Sequence, residues 1–212
     1  MAQVALSTPL ARSILEKGMS ATEGRQKVIL IGPTEGGKST IANVLAENAE
    51  TASEIYRPTV GVRILEFEGE VRSVSQHVTI ELWDVSGEFM QPKFQKCWPA
   101  IQKDAVGCVL VYNPEKPDHE QEIDKWFQSF PKSMNMTPNQ VMVIQTLSRP
   151  DGRRNMPLPN KISYANVAPP VVVTVDDLIV ARKEFDKFLE RVLQSVLDKQ
   201  RQDEDDVMQG GP

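Results

Sequence analysis

Cysteine and histidine are scarce in this chain, with two of each among 212 residues. Cys97 and Cys108 show no metal-type spacing, so they read as reduced core thiols of a cytosolic protein. His77 and His119 lie among polar neighbours and read as solvated rather than catalytic. No apolar run approaches the ~20 residues that cross a bilayer. Met1-Ala2 lacks the glycine of a myristoylation signal, and Gln209-Gly210-Gly211-Pro212 lacks a prenylatable cysteine. No direct membrane anchor is therefore expected, and any membrane association would be borrowed from a partner. An excess of positive charge is missing too. With 24 Lys and Arg against 29 Asp and Glu the net charge is -5, which argues against nucleic acid as the main partner.

Glycine, by contrast, is concentrated where it matters. Gly32-Pro33-Thr34-Glu35-Gly36-Gly37-Lys38-Ser39 fits G-x-x-x-x-G-K-[ST], the phosphate-binding loop. The apolar run Val28-Ile29-Leu30-Ile31 precedes it, and Ile41, Ala42, Val44 and Leu45 recur after it at helical spacing. Strand, loop and helix in that order are the context this motif demands. Small residues let successive backbone N–H groups converge on phosphate oxygens, and the helix N-terminus adds its positive dipole end. Lys38 is expected to reach the β- and γ-phosphates, and the Ser39 hydroxyl to ligate Mg²⁺. Gly32, Thr34, Glu35, Gly36, Gly37, Lys38, Ser39 and Thr40 are the candidate phosphate-binding residues.

Around this loop the chain alternates strand and helix, which predicts an α/β doubly wound sheet. Strands are predicted at 27–32, Arg63–Glu68, Val78–Val85, Val106–Tyr112 and Val141–Ile144, with the last at Ile162–Val167. Arg63–Glu68 and Val78–Val85 alternate at period two and read as an antiparallel pair joined from Gly69-Glu70 onward. Helices are predicted at 38–48, around Ile123, Trp126, Phe127 and Phe130, and from Thr174-Asp177 through Leu197. Residues 1–26 form an extension, either a flexible arm or a docking helix, and Glu16 speaks against a transit peptide. Ser148 to Lys161 reads as a surface loop, and 201–212 as a disordered acidic tail.

Two further elements narrow the chemistry. Tyr56-Arg57-Pro58-Thr59-Val60-Gly61 precedes the second strand, and Trp83-Asp84-Val85-Ser86-Gly87-Glu88 ends the third. Asp84 is positioned to hold Mg²⁺, usually through water, and Thr59 to supply a second hydroxyl to that metal. Gly87 allows a backbone N–H to approach a γ-phosphate without a side chain in the way. Loops held only while γ-phosphate and Mg²⁺ are present make a switch.

These motifs resemble the Ras-like small GTPases, in particular the Rab and Arf branches, over about residues 27–200. The run Pro58-Thr59-Val60-Gly61-Val62-Arg63-Ile64-Leu65-Glu66-Phe67-Glu68 and Cys97-Trp98-Pro99-Ala100 with Lys103-Asp104-Ala105 narrow the resemblance to the Rab-like GTPase family of the intraflagellar transport B complex. The resemblance implies a P-loop, Ras-like G domain with a six-stranded, mostly parallel sheet. It also implies GTP or GDP with Mg²⁺, docking to the paired coiled-coil subunits of that complex, and a place in the cilium or flagellum besides the cytoplasm.

The chain departs from an active GTPase at two places. Glu88 follows Gly87 where most Ras-like enzymes carry a glutamine that orients the attacking water, so slow hydrolysis is expected. Glu88 and Gly87 are the candidate catalytic positions. After the fifth strand, Gln145-Thr146-Leu147-Ser148 stands where the family reads guanine with Asn-Lys-x-Asp. The final base-contact motif, Ser-Ala-Lys, is only echoed by Ala165-Asn166. Gln145, Thr146, Ser148 and Asn166 are the candidate base contacts. Losing two hydrogen bonds to a charged group forfeits roughly 3–6 kcal/mol, so weak selectivity between guanine and adenine is expected. Three readings follow: a nucleotide-dependent docking module that hydrolyses slowly, a GTPase that cycles with an activating protein, and another phosphate-loop enzyme such as a kinase. No arginine-rich lid is evident in the chain, and the switch motifs argue against the last.

Overall fold

A computed structural model describes residues 25–47, 58–71, 76–148, 159, 162, 166–174 and 176–209. The readings made for residues 1–24, for Tyr56 and Arg57, and for most of the 148–161 loop lie outside those residues. Among the described residues six strands form one sheet: β1 (Gln26–Ile31), β2 (Val62–Val71), β3 (Gln76–Val85), β4 (Ala105–Tyr112), β5 (Val141–Leu147) and β6 (Val171–Thr174). Their spatial order is β2-β3-β1-β4-β5-β6. Only β2 and β3 pair antiparallel; β1 pairs parallel with both β3 and β4, and β5 parallel with β4 and β6. This is the six-stranded, mostly parallel sheet that the motifs imply.

The alternation of β1 explains why both faces are covered. Val28 and Leu30 point into one core layer with α1 (Lys38–Leu45) and the long α4 (Ile179–Gln209). Ile29 and Ile31 point into the other, with Ile101 of the short α2 (Trp98–Gln102) and Ile123, Trp126 and Phe127 of α3 (His119–Phe127). All four strand residues are fully buried. Each such side chain contributes about 1.5–3 kcal/mol on burial, so a central strand apolar on both faces anchors the domain. In α4, Ala181, Phe185, Phe188, Leu189, Val192 and Leu193 form the buried stripe, at the spacing of one helix face.

Three expectations are corrected by the fold. Among the described residues the last strand is Val171–Thr174, and of the predicted Ile162–Val167 the described Ile162, Asn166 and Val167 lie in no strand. Ile162 is buried in the second core layer and Val167 packs against it, so the apolar signal of these two residues reports packing and not a strand. The true strand is a short β-branched edge run entered directly from Pro169-Pro170, a place where proline costs no ladder bond. The acidic segment expected to be disordered from 201 is helical through Gln209. A helix already nucleated by a docked stripe extends at little cost through good helix formers such as Arg201, Gln202, Glu204 and Met208. Finally, Cys108 is a core thiol but Cys97 is exposed.

Candidate functional site

The site forms at the C-terminal ends of β1, β3, β4 and β5, where the strand order turns back on either side of β1. Gly37 has a φ of 85°, a left-handed conformation that turns the chain from the loop into α1. The loop is braced from several sides. Thr146 Oγ1 donates to the Gly36 carbonyl at 2.9 Å and to the Tyr112 carbonyl at 3.3 Å. Lys38 is buried and donates from Nζ to the Pro33 carbonyl at 2.7 Å. Burial pushes the Lys38 ammonium down to about 8, against the upward pull of Asp84 and Glu122. An ammonium held in a dry cradle with one carbonyl partner has donors to spare for an anion.

His119 belongs to this brace, contrary to the solvated reading. It is buried, its Nδ1 accepts the Asn113 backbone N–H at 3.1 Å, and it hydrogen-bonds the Thr34 backbone. Burial lowers its pKa, with Lys116 and Lys38 acting in the same direction. Glu35 pairs with Lys116 at the loop after β4, and that hydrogen bond holds the Glu35 carboxyl below its usual range.

Ser39, Thr59 and Asp84 converge as the three motifs require. Ser39 Oγ lies 2.8 Å from Thr59 Oγ1, and Thr59 Oγ1 donates to Asp84 Oδ2 at 3.5 Å. Asp84 is fully buried, and its Oδ1 has no partner among the described residues. Burial raises the carboxyl's pKa, opposed by the Ser39 hydroxyl, Arg63 and Lys38. Two hydroxyls and an orphaned carboxylate oxygen are a hard oxygen set, and they fit Mg²⁺. Gly87 packs against the phosphate loop at Thr34, while Glu88 is exposed, its backbone N–H bonded to Ser86 Oγ at 3.3 Å.

Beside the loop opens a cleft of ≈ 170 Å³, lined by Glu35, Gly37, Thr40, Asn113 and Thr146–Ser148 together with Val173, Thr174 and Leu178. The structure brings Thr146 and Ser148 to this cleft but not the other two candidate base contacts. Gln145 is buried on the opposite face, where its Nε2 donates to the Tyr112 hydroxyl at 2.6 Å. Strand alternation alone decides this, since Thr146 and Gln145 must point to opposite sides of the sheet. Asn166 is exposed in the segment before β6 and does not line the cleft. Its place is taken by Thr174, which ends the true last strand, and by Leu178 after it. Sequence reasoning missed them because it placed that strand too early; the Val171-Val172-Val173 run was the available signal.

A phosphate-loop domain of the Ras-like class is what this sheet, cradle and switch geometry define. Residues 27–148 match the family described as Ras of Complex, Roc, domain of DAPkinase. The chain is 35% identical over 182 residues to an intraflagellar transport protein 22 homolog of Danio rerio, covering 84% of this chain and 95% of that protein. It is 32% identical over 194 residues to the Homo sapiens homolog, covering 87% and 98%. It superposes on a T. brucei IFT22/74/81 GTP-bound crystal structure with a TM-score of 0.66 at 27% identity, covering 84% of this chain and 99% of that one. A GDP-bound T. brucei IFT22 structure gives 0.61 at 25% identity, covering 82% and 99%. The chain belongs to the intraflagellar transport protein 22 family and carries its Ras-like GTPase domain.

Proposed function

We propose that this protein is a GTP-binding docking subunit of the intraflagellar transport B complex, working in cilium or flagellum assembly. The observation that carries the reading is the convergence of Ser39, Thr59 and Asp84 beside the braced phosphate loop. Lys38 and the loop N–H groups bind the β- and γ-phosphates; Ser39, Thr59 and Asp84 hold Mg²⁺, which would neutralise phosphate charge. Thr59 and Gly87 sit on the two loops whose positions then depend on the γ-phosphate. The cleft at Thr146–Ser148 and Thr174 receives the base, with no carboxylate from the Asn-Lys-x-Asp pattern to select guanine.

The partner is protein, and the surface is the face between the switches. Val60 is 92% exposed and Ile64 47% exposed, and Ile64 pairs across the strands with half-buried Trp83, whose ring lies under Lys27 Nζ. An aromatic flanked by exposed aliphatics suits an interface anchor. Trp98 is less available, because its Nε1 donates to the Phe89 carbonyl at 2.8 Å and its ring packs on Phe130. The T. brucei relative is seen together with 74 and 81, and the corresponding coiled-coil subunits are the partners proposed here. Among the described residues no helix is long and apolar enough to cross a membrane. GTP-loaded protein is expected to be retained on those immobilised subunits, with Ser39→Asn and Ile64→Asp each weakening retention at least about tenfold. Equal retention of Ser39→Asn would mean a constitutive subunit whose docking ignores nucleotide.

Hydrolysis by the isolated chain is slow in this reading, on the order of 10⁻⁴ s⁻¹ or less, as in unaided Ras. Glu88 is exposed, and as a carboxylate it would lack the amide that orients water and would repel the charge of a γ-phosphate. Single-turnover assays should show Glu88→Gln hydrolysing faster than the wild type. An unchanged rate would place the defect elsewhere in the site.

A further inference from the structure

Arg63 occupies a position that neither the switch motifs nor the phosphate loop explains. The antiparallel register of β2 and β3 sets it directly opposite Asp84. Its Nη2 lies 3.3 Å from Asp84 Oδ2 and donates to the Ser39 carbonyl at 3.4 Å. One guanidinium thus touches two of the three residues that converge for Mg²⁺. The pair is incompletely saturated: Arg63 Nε and Asp84 Oδ1 are both buried without partners among the described residues. A fully buried carboxylate gains most from a nearby cation, and an arginine is always charged.

We propose that Arg63 is a resident counter-charge for Asp84 that competes with the divalent cation, so that nucleotide binding by this chain depends only weakly on Mg²⁺. The inference rests on the nucleotide-binding reading above. Without the metal, a bare Asp84 carboxylate would repel the β- and γ-phosphates across the Ser39 hydroxyl. Arg63 removes that repulsion by neutralising the carboxylate in place. With the metal present, Arg63 and Mg²⁺ repel one another and share a single carboxylate, so the cation gains less from Asp84. Both effects shrink the coupling between Mg²⁺ and nucleotide, and that coupling is reciprocal. Arg63 is accordingly a positioning residue, acting on the ligand through Asp84 and Ser39.

The test is titration of a fluorescent GTP analogue into the full chain, with Mg²⁺ and with chelator, for the wild type and Arg63→Gln. The wild type is expected to lose less than about tenfold in affinity on chelation, and Arg63→Gln to lose at least about tenfold more than the wild type, within the usual span of coupling between ligands. A Mg²⁺ titration at fixed nucleotide should show Arg63→Gln half-saturated at a lower metal concentration. If Arg63→Gln does not fold, judged by its thermal melt, Arg63→Met keeps the aliphatic stem, removes the charge and is read the same way. Identical Mg²⁺ dependence in wild type and variant overturns the inference while leaving the nucleotide reading intact. Failure of the wild type to bind the analogue under either condition overturns both.

Discussion

Lys38→Met is expected to raise the melting temperature of the nucleotide-free protein while abolishing its response to GTP. The two effects have one origin. The Lys38 ammonium is buried beside a single carbonyl acceptor, and its pKa is pushed from 10.5 to about 8. The unfolded chain keeps the ordinary value, so between pH 8 and 10.5 it binds more protons than the native state. Native stability therefore climbs as pH rises through that window. Below it the full penalty stands, on the order of 3 kcal/mol. Methionine keeps the length of the side chain, removes this penalty and forfeits the Pro33 hydrogen bond, worth about 1 kcal/mol. The net gain of about 2 kcal/mol corresponds to roughly 5 °C in a chain of this size. GTP affinity should fall at least about 100-fold, because two charge-assisted bonds to phosphate are lost. Differential scanning with and without GTP reads both effects. Calorimetry in buffers of different ionisation enthalpy adds a third, since phosphate restores the ammonium and the wild type should take up protons on binding at pH 8. A lower melting temperature in Lys38→Met, or binding heats independent of buffer, would contradict this account of Lys38.

Gly87→Ala is expected to lower the ratio of GTP to GDP affinity. A Cβ at position 87 would lie 2.4 Å from the Thr34 nitrogen and 2.6 Å from Thr34 Cα. Both are backbone atoms of the braced phosphate loop, which Thr146 and His119 hold from behind. The lighter segment must move instead, carrying the 3-10 turn Gly87–Met90 away from the site. Overpacking of this kind costs about 1–3 kcal/mol. If the displaced N–H is the group that senses γ-phosphate, the ratio of GTP to GDP affinity should fall by about tenfold, the worth of one hydrogen bond to a charged acceptor. GDP affinity, set by Lys38, Ser39 and the loop, should hold. Competition titrations with both nucleotides measure the ratio, and an unchanged ratio would show that Gly87 is only a packing residue.

Much of the site was legible before the fold was known because phosphate chemistry is local. Gly37, Lys38 and Ser39 lie within one turn of chain, and a strand before them and helix after them suffice to aim their donors. Thr59 and Asp84 were legible for a related reason: each ends or precedes a strand of clear period-two pattern, and strand ends in a parallel sheet face the ligand. The base side of the cleft was much less legible. Its residues come from two strand ends whose register is set by tertiary pairing, and the last strand is only four residues long. Misplacing it moved Asn166 into the site and left out Thr174. Gln145 failed on a finer point, since one residue of strand phase separates a cleft lining from a core hydrogen bond.

By itself the sequence determined the phosphate loop, the order of its switch motifs, the antiparallel β2–β3 pair and the apolar strand that precedes the loop. Those features rest on backbone geometry and on the periodicity of apolar residues, which contiguous chain encodes directly. Only the tertiary structure decided that His119 braces the loop at Thr34, that Glu35 is paired with Lys116, and that Arg63 stands against Asp84. Each of these joins residues distant in the chain, and each concerns a charge or a buried polar atom. For such groups the energy depends on what lies within a few ångströms and how much water is excluded, and neither quantity exists until the sheet has closed around them.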